Sequence, residues 1–391
     1  MSLNFQQVFD RIKEIGLGAQ ARQQDLDARR RQARQLLTTW SNKTVELHDK
    51  IERMRQADPT LRCALPLEES LEATISQPAE SLKGTLIAAD GSQIAPDRHA
   101  AELFSLINVG AILLEPGSGK APEVFTDSSL LFADELYTET GILTTEAIDL
   151  QRDIAERKKL LELARQVTGP CVALMDGPLE LWGAKNGDEG DYRRNLEIHL
   201  TILSRLQEIN VTVAGYVDKP GADLIVRALE IAMLPEAQIK VVRGQHPLRG
   251  VTDRWLYGGI LNTGQRSAIF GMQSGSRLHY TGNLALHFFY LNVGDTKHPS
   301  IVRVEIPKWV ADDEGQLDLL HSALLQQCRA MGMRPYPYIL HRAHEIAVVK
   351  LEEKQQVEQL LELELRRAGG EVGAISAKQS AKDLPGRTGT K

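Results

Sequence analysis

Cysteine is scarce in this sequence: the 391 residues include three, Cys63, Cys171 and Cys328. They lie far apart and form no CxxC pair, so their spacing argues against a zinc ribbon and offers no disulfide framework. So few thiols, without a pairing pattern, are typical of a protein in a reducing cytoplasm.

Long apolar runs are also missing. No stretch reaches the roughly 18 apolar residues that indicate a membrane-spanning helix, and the N-terminal "MSLNFQQVFDRIKEIG" has no apolar signal core. We therefore expect a cytoplasmic protein that does not span a membrane. The formal net charge of -6 argues against a uniformly basic nucleic-acid coat, but it leaves room for a local basic groove.

The residues that are present fit a globular α/β protein, with 42% hydrophobic and 25% charged residues. Residues 1–82 are predicted to form an amphipathic helical arm and a linker. From 83 to 368, short β-rich runs alternate with helical segments such as 145–167, which indicates a sheet with flanking helices. A long helix over 343–368 closes this region, and the polar, basic tail 369–391 is predicted to be disordered.

Two apolar runs end in the same way, "TLIAADGS" at Asp90-Gly91 and "CVALMDGP" at Asp176-Gly177. In α/β folds an acid at the carboxyl end of a buried strand faces a ligand crevice. Two such acids on neighbouring strands would repel each other unless a divalent cation joined them, and hard oxygen ligands suit Mg²⁺ or Mn²⁺. Each glycine would let the backbone turn sharply and leave room for a substrate phosphate. The alternative is that both Asp-Gly pairs are ordinary turns.

The helical segment before the second run supplies a third acid. "QRDIAERKKLLELARQV" carries Glu156 and Glu162, which point to different faces of a helix with 3.6 residues per turn. Either one could reach back to a metal site, and the residues alone do not select between them. A solvated helix glutamate is the alternative for both.

The segment "RPYPYILHRAHEIAVV" gathers polar chemistry at the start of the predicted final helix. His344 could supply a neutral nitrogen ligand to Mn²⁺ or move a proton, and Tyr336 lies shortly before it. Arg334 and Arg342 could hold a phosphate. The alternative for His344 is a packed or hydrogen-bonded structural histidine.

Taken in order, these motifs closely resemble the NurA nuclease family, from about residue 84 to 350. The resemblance is carried by "LIAADGSQIAPDRH", "FSLINVG", "ALMDGPLELW", "AGYVDKP", "LNTGQRSAIF", "FFYLNVG", "IVRVEIPKWVA" and "YPYILHRAHEIAVV". It implies an α/β fold with an RNase H-like mixed sheet flanked by helices, an N-terminal helical arm and a long C-terminal helix.

The resemblance also implies an activity and partners. NurA-type proteins are Mn²⁺-dependent 5′-to-3′ DNA nucleases with single-strand endonuclease activity, and they form homodimers. They work with a hexameric HerA-type ATPase in DNA end resection and double-strand break repair. The same roles are therefore expected for this chain.

Residue by residue, the resemblance places the family's site on Asp90, Asp176, Glu156, His344 and Tyr336. The helix glutamate is the least secure of these assignments, and the second candidate of the same helix stays open. The mechanism expected from the resemblance is two-metal hydrolysis with Mn²⁺ or Mg²⁺. Asp90 would bridge the two ions, Asp176, Glu156 and His344 would complete the ligand set, and Tyr336 would position water or a phosphate oxygen.

Three basic residues are candidate DNA contacts: Arg266 in "GQRSAIF", Lys219 in "YVDKPGAD", and Arg342. Arg266 could equally well pair with an acid inside the fold. Lys219 could equally well be a plain turn residue.

Two other functions are compatible with the sequence. One is a catalytically silent DNA-end adaptor that regulates a HerA-type motor, which assays of metal binding and cleavage would separate from a nuclease. The other is a metal-dependent phosphoesterase for small nucleotides, which competition between DNA and mononucleotides would reveal. Intact strand-end acids and an intact Tyr/His pair favour the nuclease over the adaptor. The long N-terminal arm and the family resemblance count against the phosphoesterase.

Overall fold

A computed structural model describes residues 3–79, 84–98, 100–138, 141–183, 189–235 and 244–370. The predicted tail, 369–391, lies outside the described residues apart from its first two positions. Within the ranges given, no helix combines the length and apolar character needed to cross a membrane.

The helices are α1 (Phe5–Leu17), α2 (Ala19–Trp40), α3 (Thr44–Ala57), α4 (Thr145–Ala164), α5 (Glu189–Glu208), α6 (Leu224–Met233), α7 (Asp253–Gly258), α8 (Lys308–Ala311), α9 (Glu314–Ala330), α10 (Tyr338–Ala347) and α11 (Leu351–Arg367). The strands are β1 (Cys63–Pro66), β2 (Thr74–Ile75), β3 (Thr85–Ile94), β4 (Phe104–Leu114), β5 (Glu123–Phe132), β6 (Tyr137–Thr138), β7 (Gly141–Ile142), β8 (Cys171–Asp176), β9 (Thr212–Val217), β10 (Arg266–Ser267), β11 (Phe270–Gln273), β12 (Leu286–Asn292) and β13 (Ile301–Pro307).

The chain divides into two compact units, each built from two stretches of sequence. Unit I combines residues 1–81 with 215–335, and unit II combines 82–214 with 336–391. The domain boundaries that the sequence predicts, after 82 and after 368, stay predictions.

Unit I contains an antiparallel sheet in the order β1-β11-β12-β13. Aromatic side chains form its centre: the rings of Tyr257 and Tyr290 stack with their centroids 5.0 Å apart. Phe288 meets the Tyr290 ring edge-on at 5.8 Å, and Phe270 packs beside Phe288. Unit I therefore has an aromatic core of its own.

Unit II contains a mixed sheet in the order β5-β4-β3-β8. Strands β3, β4 and β5 form an antiparallel meander, and β8, which follows α4 in the sequence, lies parallel to β3. The runs before Asp90 in β3 and before Asp176 in β8 are buried throughout, as expected for strands covered on both faces. This is the mixed sheet flanked by helices that the sequence predicts.

Helices α4 and α10 approach this sheet closely because two glycines leave room for them. A Cβ at Gly91 would lie 2.7 Å from Oε1 of Glu156 in α4. A Cβ at Gly110 would lie 2.8 Å from the carbonyl oxygen of Ala343 in α10. Asp90 pairs with Gly110, and successive residues of a strand point to opposite faces. Asp90 and Gly110 therefore face α10, whereas Gly91 faces α4 on the other side of the sheet.

The single helix predicted over 343–368 is two helices in the structure, because α10 ends at Ala347 and α11 begins at Leu351. The carbonyl of Ala347 accepts hydrogen bonds from Ser92 Oγ at 2.5 Å and from Asn108 Nδ2 at 2.7 Å. Side chains of the sheet thus satisfy a carbonyl at the helix end, where helical partners are lacking. The long C-terminal helix is α11, and α10 is a separate element fixed to the sheet.

We expect Gly110→Ala to lower the free energy of unfolding by about 1–3 kcal/mol, the usual cost of overpacking, since the added Cβ meets helix backbone that cannot rotate away. Denaturant unfolding followed by circular dichroism measures this. Gly221→Ala is the matched control, because a Cβ there meets nothing within 4 Å. Equal stabilities of the two variants would contradict the close contact between α10 and β4.

Candidate active site

Two carboxylates stand at the same level of neighbouring parallel strands in unit II. The register of β3 and β8 ends with Ala89 opposite Met175, and the next residues along the two strands are Asp90 and Asp176. The proximity expected from the two matching sequence runs is therefore present.

The backbone behaves differently after the two acids. Strand β8 ends at Asp176, and Gly177 follows with φ +88°, in the left-handed region that favours glycine. Strand β3 instead continues past Asp90 to Ile94, still paired with β4. The sharp turn predicted at Gly91 is therefore wrong, because β4 keeps this part of the strand extended. Gly91 leaves room for α4 instead.

A histidine and a tyrosine at the start of the C-terminal region reach the two carboxylates. His344 Nδ1, on α10, lies 2.7 Å from Asp90 Oδ2. Tyr336, just before α10, donates a hydrogen bond to Asp176. The His344 side chain is 62% exposed, whereas that of Asp90 is 16% exposed. A histidine that contacts a carboxylate and solvent can pass protons between them.

Three polar side chains of the sheet, which the sequence motifs do not single out, hold α10 in place. Asn108, buried in β4, donates to the end of α10, and Ser128 Oγ donates to Asn108 Oδ1 at 2.7 Å. Ser92, which follows Asp90 and Gly91 in the first motif, also donates to the end of α10. The available signal was an asparagine inside the otherwise apolar run "FSLINVGAILL", because a buried polar side chain needs a partner.

Helix α4 contributes Glu156 to the site and directs Glu162 elsewhere. The Glu156 side chain is 15% exposed, and its carboxylate lies beside Gly91, next to Asp90 in the chain. Glu162 is 56% exposed and forms an ion pair with Lys159 at 3.0 Å. Of the two sequence alternatives, Glu156 is the one that lies near the strand-end acids.

The position of Glu156 makes its carboxyl group hard to ionise. Burial raises the pKa of Glu156 to about 8, and the negative charges of Asp153 and Asp90 act in the same direction. The guanidinium groups of Arg157 and Arg152 oppose this shift of the pKa. Burial therefore favours the neutral, protonated form of the Glu156 carboxyl.

The pKa of Asp176 is raised as well. Desolvation by the surrounding protein atoms is the main cause, although the side chain still contacts solvent, and the charge of Asp90 adds to it. The hydrogen bond from Tyr336 and the charge of His344 oppose the shift. The site therefore resists carrying all its negative charge without a cation.

Arg152 is a site residue that the sequence did not single out. Its Nε lies 3.3 Å from Glu156 Oε1, and its Nη2 donates to Asp153 Oδ1 at 2.9 Å. Its Nη1 donates to Gln93 Oε1 at 2.8 Å. The available signal was the spacing, because side chains four residues apart on a helix are neighbours.

The three candidate DNA contacts occupy different environments. Arg342 lies on α10 and forms an ion pair with Glu345 of the same helix. Arg266 and Lys219 belong to unit I. Arg266 is 7% exposed and its guanidinium lies over the Phe289 ring, which favours the structural role. Lys219 is an exposed turn residue with φ +47°.

The chemistry of the donor set suits a hard divalent cation. Asp90, Asp176 and Glu156 offer carboxylate oxygens and His344 offers an imidazole nitrogen, which are ligands of Mg²⁺ and Mn²⁺. Across the described ranges, no three His, Cys, Asp or Glu side chains are already spaced to ligate a metal. Each carboxylate is instead held by a neighbouring donor or cation. Binding a cation therefore requires these side chains to exchange partners.

The sequence matches the NurA domain family over residues 84–349. The crystal structure of the NurA nuclease from Sulfolobus solfataricus aligns with a TM-score of 0.50 at 13% identity, covering 93% of this chain and 98% of that chain. A crystal structure of Ciona intestinalis endonuclease V with DNA aligns with a TM-score of 0.30 at 14% identity, covering 83% and 98% of the two chains. The second score is too low to support a common fold. Among curated proteins, no sequence matches this chain. Together with the strand order of unit II, the first alignment confirms the predicted fold class.

We expect stability to depend on the proton held by Glu156. The folded-state pKa is raised from 4.5 to about 8, so the folded protein keeps a proton that the unfolded chain releases. This stabilisation is fully present below about pH 4.5 and is lost as the pH rises through about 8. In EDTA, the free energy of unfolding of the wild type should therefore fall between about pH 4.5 and pH 8. For Glu156→Gln this decrease should be smaller, by roughly 2–4 kcal/mol.

Thermal unfolding monitored at several pH values tests this prediction. Glu162→Gln is the matched control, since it removes an exposed carboxylate from the same helix. Its pH profile should follow that of the wild type. Parallel profiles for the wild type and Glu156→Gln would show that Glu156 does not hold the extra proton.

Proposed function

Because the chain belongs to the NurA family, we propose that it is a metal-dependent deoxyribonuclease that hydrolyses phosphodiester bonds. The observation that best supports this proposal is the convergence of Asp90, Asp176, Glu156 and His344 in one unit. These residues come from two strands and two helices that the sequence separates widely. Asp90 is the less exposed of the two strand-end acids, yet its partner His344 is exposed to solvent. A purely structural carboxylate cluster would not explain this pairing.

In this proposal Asp90, Asp176 and Glu156 would hold two divalent cations, Mn²⁺ or Mg²⁺, and His344 would complete the ligand set. Bound cations would supply Lewis-acid polarisation of the phosphate and promote deprotonation of the attacking water. Glu156 would have to be ionised to act as a ligand. Tyr336, which donates to Asp176, would orient that carboxylate or a phosphate oxygen.

The finer features of the proposal rest on the family resemblance. They are 5′-to-3′ exonuclease and single-strand endonuclease activity, and a role in DNA end resection and double-strand break repair. They also include a homodimer, a hexameric HerA-type ATPase as partner, and a cytoplasmic location. The three cysteines carry free, buried thiols, which is compatible with a reducing compartment.

The test compares the wild type with Asp90→Asn on end-labelled single- and double-stranded DNA, in Mn²⁺, Mg²⁺ or EDTA. Asp90→Asn keeps the side-chain shape but removes the charge. We expect it to reduce cleavage by at least about a hundredfold. Even substitution of a residue that only hydrogen-bonds to a metal ligand typically costs 10–100-fold in activity. The position of the label reports the polarity of cleavage.

Glu162→Gln serves as the control and should cleave like the wild type, since Glu162 pairs with Lys159 away from the strand-end acids. Cleavage by Asp90→Asn at the wild-type rate would overturn the assigned site. If the wild type itself fails to cleave, alone and with a HerA-type ATPase and ATP, the protein is a non-catalytic adaptor instead.

A further inference from the structure

The guanidinium of Arg152 lies on the acidic face of α4, beside Glu156 and Asp153. The guanidinium of Arg152 contacts three acceptors within 3.3 Å, namely Asp153, Gln93 and Glu156, and a fourth, Asp149, at 3.9 Å. Its side chain is 27% exposed, so it is held against the sheet rather than extended into solvent. The absence of a side chain at Gly91 leaves room for this position, because a Cβ there would lie 2.9 Å from the Arg152 Cδ.

The three contacts differ in kind. Nη2 donates to Asp153 at 2.9 Å and Nη1 donates to Gln93 at 2.8 Å, both as hydrogen bonds. Nε faces Glu156 Oε1 at 3.3 Å but is a buried nitrogen without a hydrogen-bond acceptor. The guanidinium is therefore anchored through its two terminal nitrogens, and its contact with Glu156 is the one most easily given up.

We propose that Arg152 is an internal counter-cation that competes with the divalent cation for Glu156. In the cation-free protein the Arg152 guanidinium lies against the Glu156 carboxyl and favours its charged form. Arg152 releases Glu156 when that carboxylate becomes a ligand, while Asp153 and Gln93 retain the guanidinium nearby. This inference rests on the proposed function, because it takes Glu156 to be a metal ligand. Arg152 acts through Glu156, so it is a positioning residue.

The competition predicts that removing the charge of Arg152 strengthens metal binding. We expect Arg152→Gln to bind Mn²⁺ about tenfold more tightly than the wild type, equivalent to about 1.4 kcal/mol. Isothermal titration calorimetry on the full chain measures the affinity. Lys158→Gln is the matched control, because it removes the same charge from an exposed position of the same helix, and its affinity should equal that of the wild type.

A double-mutant cycle separates the contact with Glu156 from a general charge effect. In the Glu156→Gln background, Arg152→Gln should leave the Mn²⁺ affinity unchanged, because the residue through which Arg152 acts is gone. A tenfold gain that persists in this background would overturn the proposal, as would an equal or weaker affinity of Arg152→Gln in the wild-type background.

Thermal unfolding gives a readout that a merely structural ion pair would not move. Arg152→Gln should lower the unfolding temperature in EDTA more than in saturating Mn²⁺, whereas loss of a structural contact would lower both equally. If Arg152→Gln does not fold, Arg152→Lys takes its place, since a lysine cannot span all three acceptors at once. It should also bind Mn²⁺ more tightly than the wild type, by a smaller factor, and wild-type affinity would contradict the proposal.

The outcomes also separate this inference from the proposed function. If the wild type binds no Mn²⁺, the metal-dependent function fails and the competition fails with it. If the wild type binds Mn²⁺ and Arg152→Gln binds it equally well, the proposed function stands and Arg152 has no competing role.

Discussion

The close contact of two helices with one point of the β3–β4 ladder is the constraint on which the rest of the candidate site depends. Helix α10 can reach the sheet because it meets it with small residues, Ala343 and Ala347, opposite Gly110. Its approach puts His344 on Asp90. On the other face, α4 reaches the sheet at Gly91 and brings Glu156. Any larger side chain at either glycine would move one of these donors, because packed backbone cannot yield without cost.

Charge is the second constraint, and it follows from the first. Desolvation and the nearby charge of Asp90 raise the pKa of Glu156 and of Asp176. Each carboxylate has a partner within the protein: His344 contacts Asp90, Tyr336 donates to Asp176, and Arg152 lies against Glu156. The site is thus balanced in the absence of metal while its ligands remain chemically suited to one.

The two units contribute unequally to this picture. All the candidate site residues belong to unit II: Asp90, Glu156, Asp176, Tyr336 and His344. Residues 215–335 of unit I lie between Asp176 and Tyr336 in the sequence. The long excursion through unit I separates the second strand-end acid from α10 in the sequence. Unit I has an aromatic core of its own and holds two of the three basic residues that the sequence offers as candidate DNA contacts. One of them, Arg266, is buried there against Phe289.

The sequence by itself determined the two strand-end acids, the Tyr/His segment and the fold class, because buried strands read as apolar runs and the acids interrupt them. It named Glu156 as the helix ligand but left Glu162 open, since helical spacing states which residues share a face but not which face meets the sheet. Only the tertiary structure made that choice, and only it revealed Arg152, Asn108 and the break between α10 and α11. Those features depend on how closely helices approach strands, which two glycines and a buried amide decide through contacts far apart in the chain.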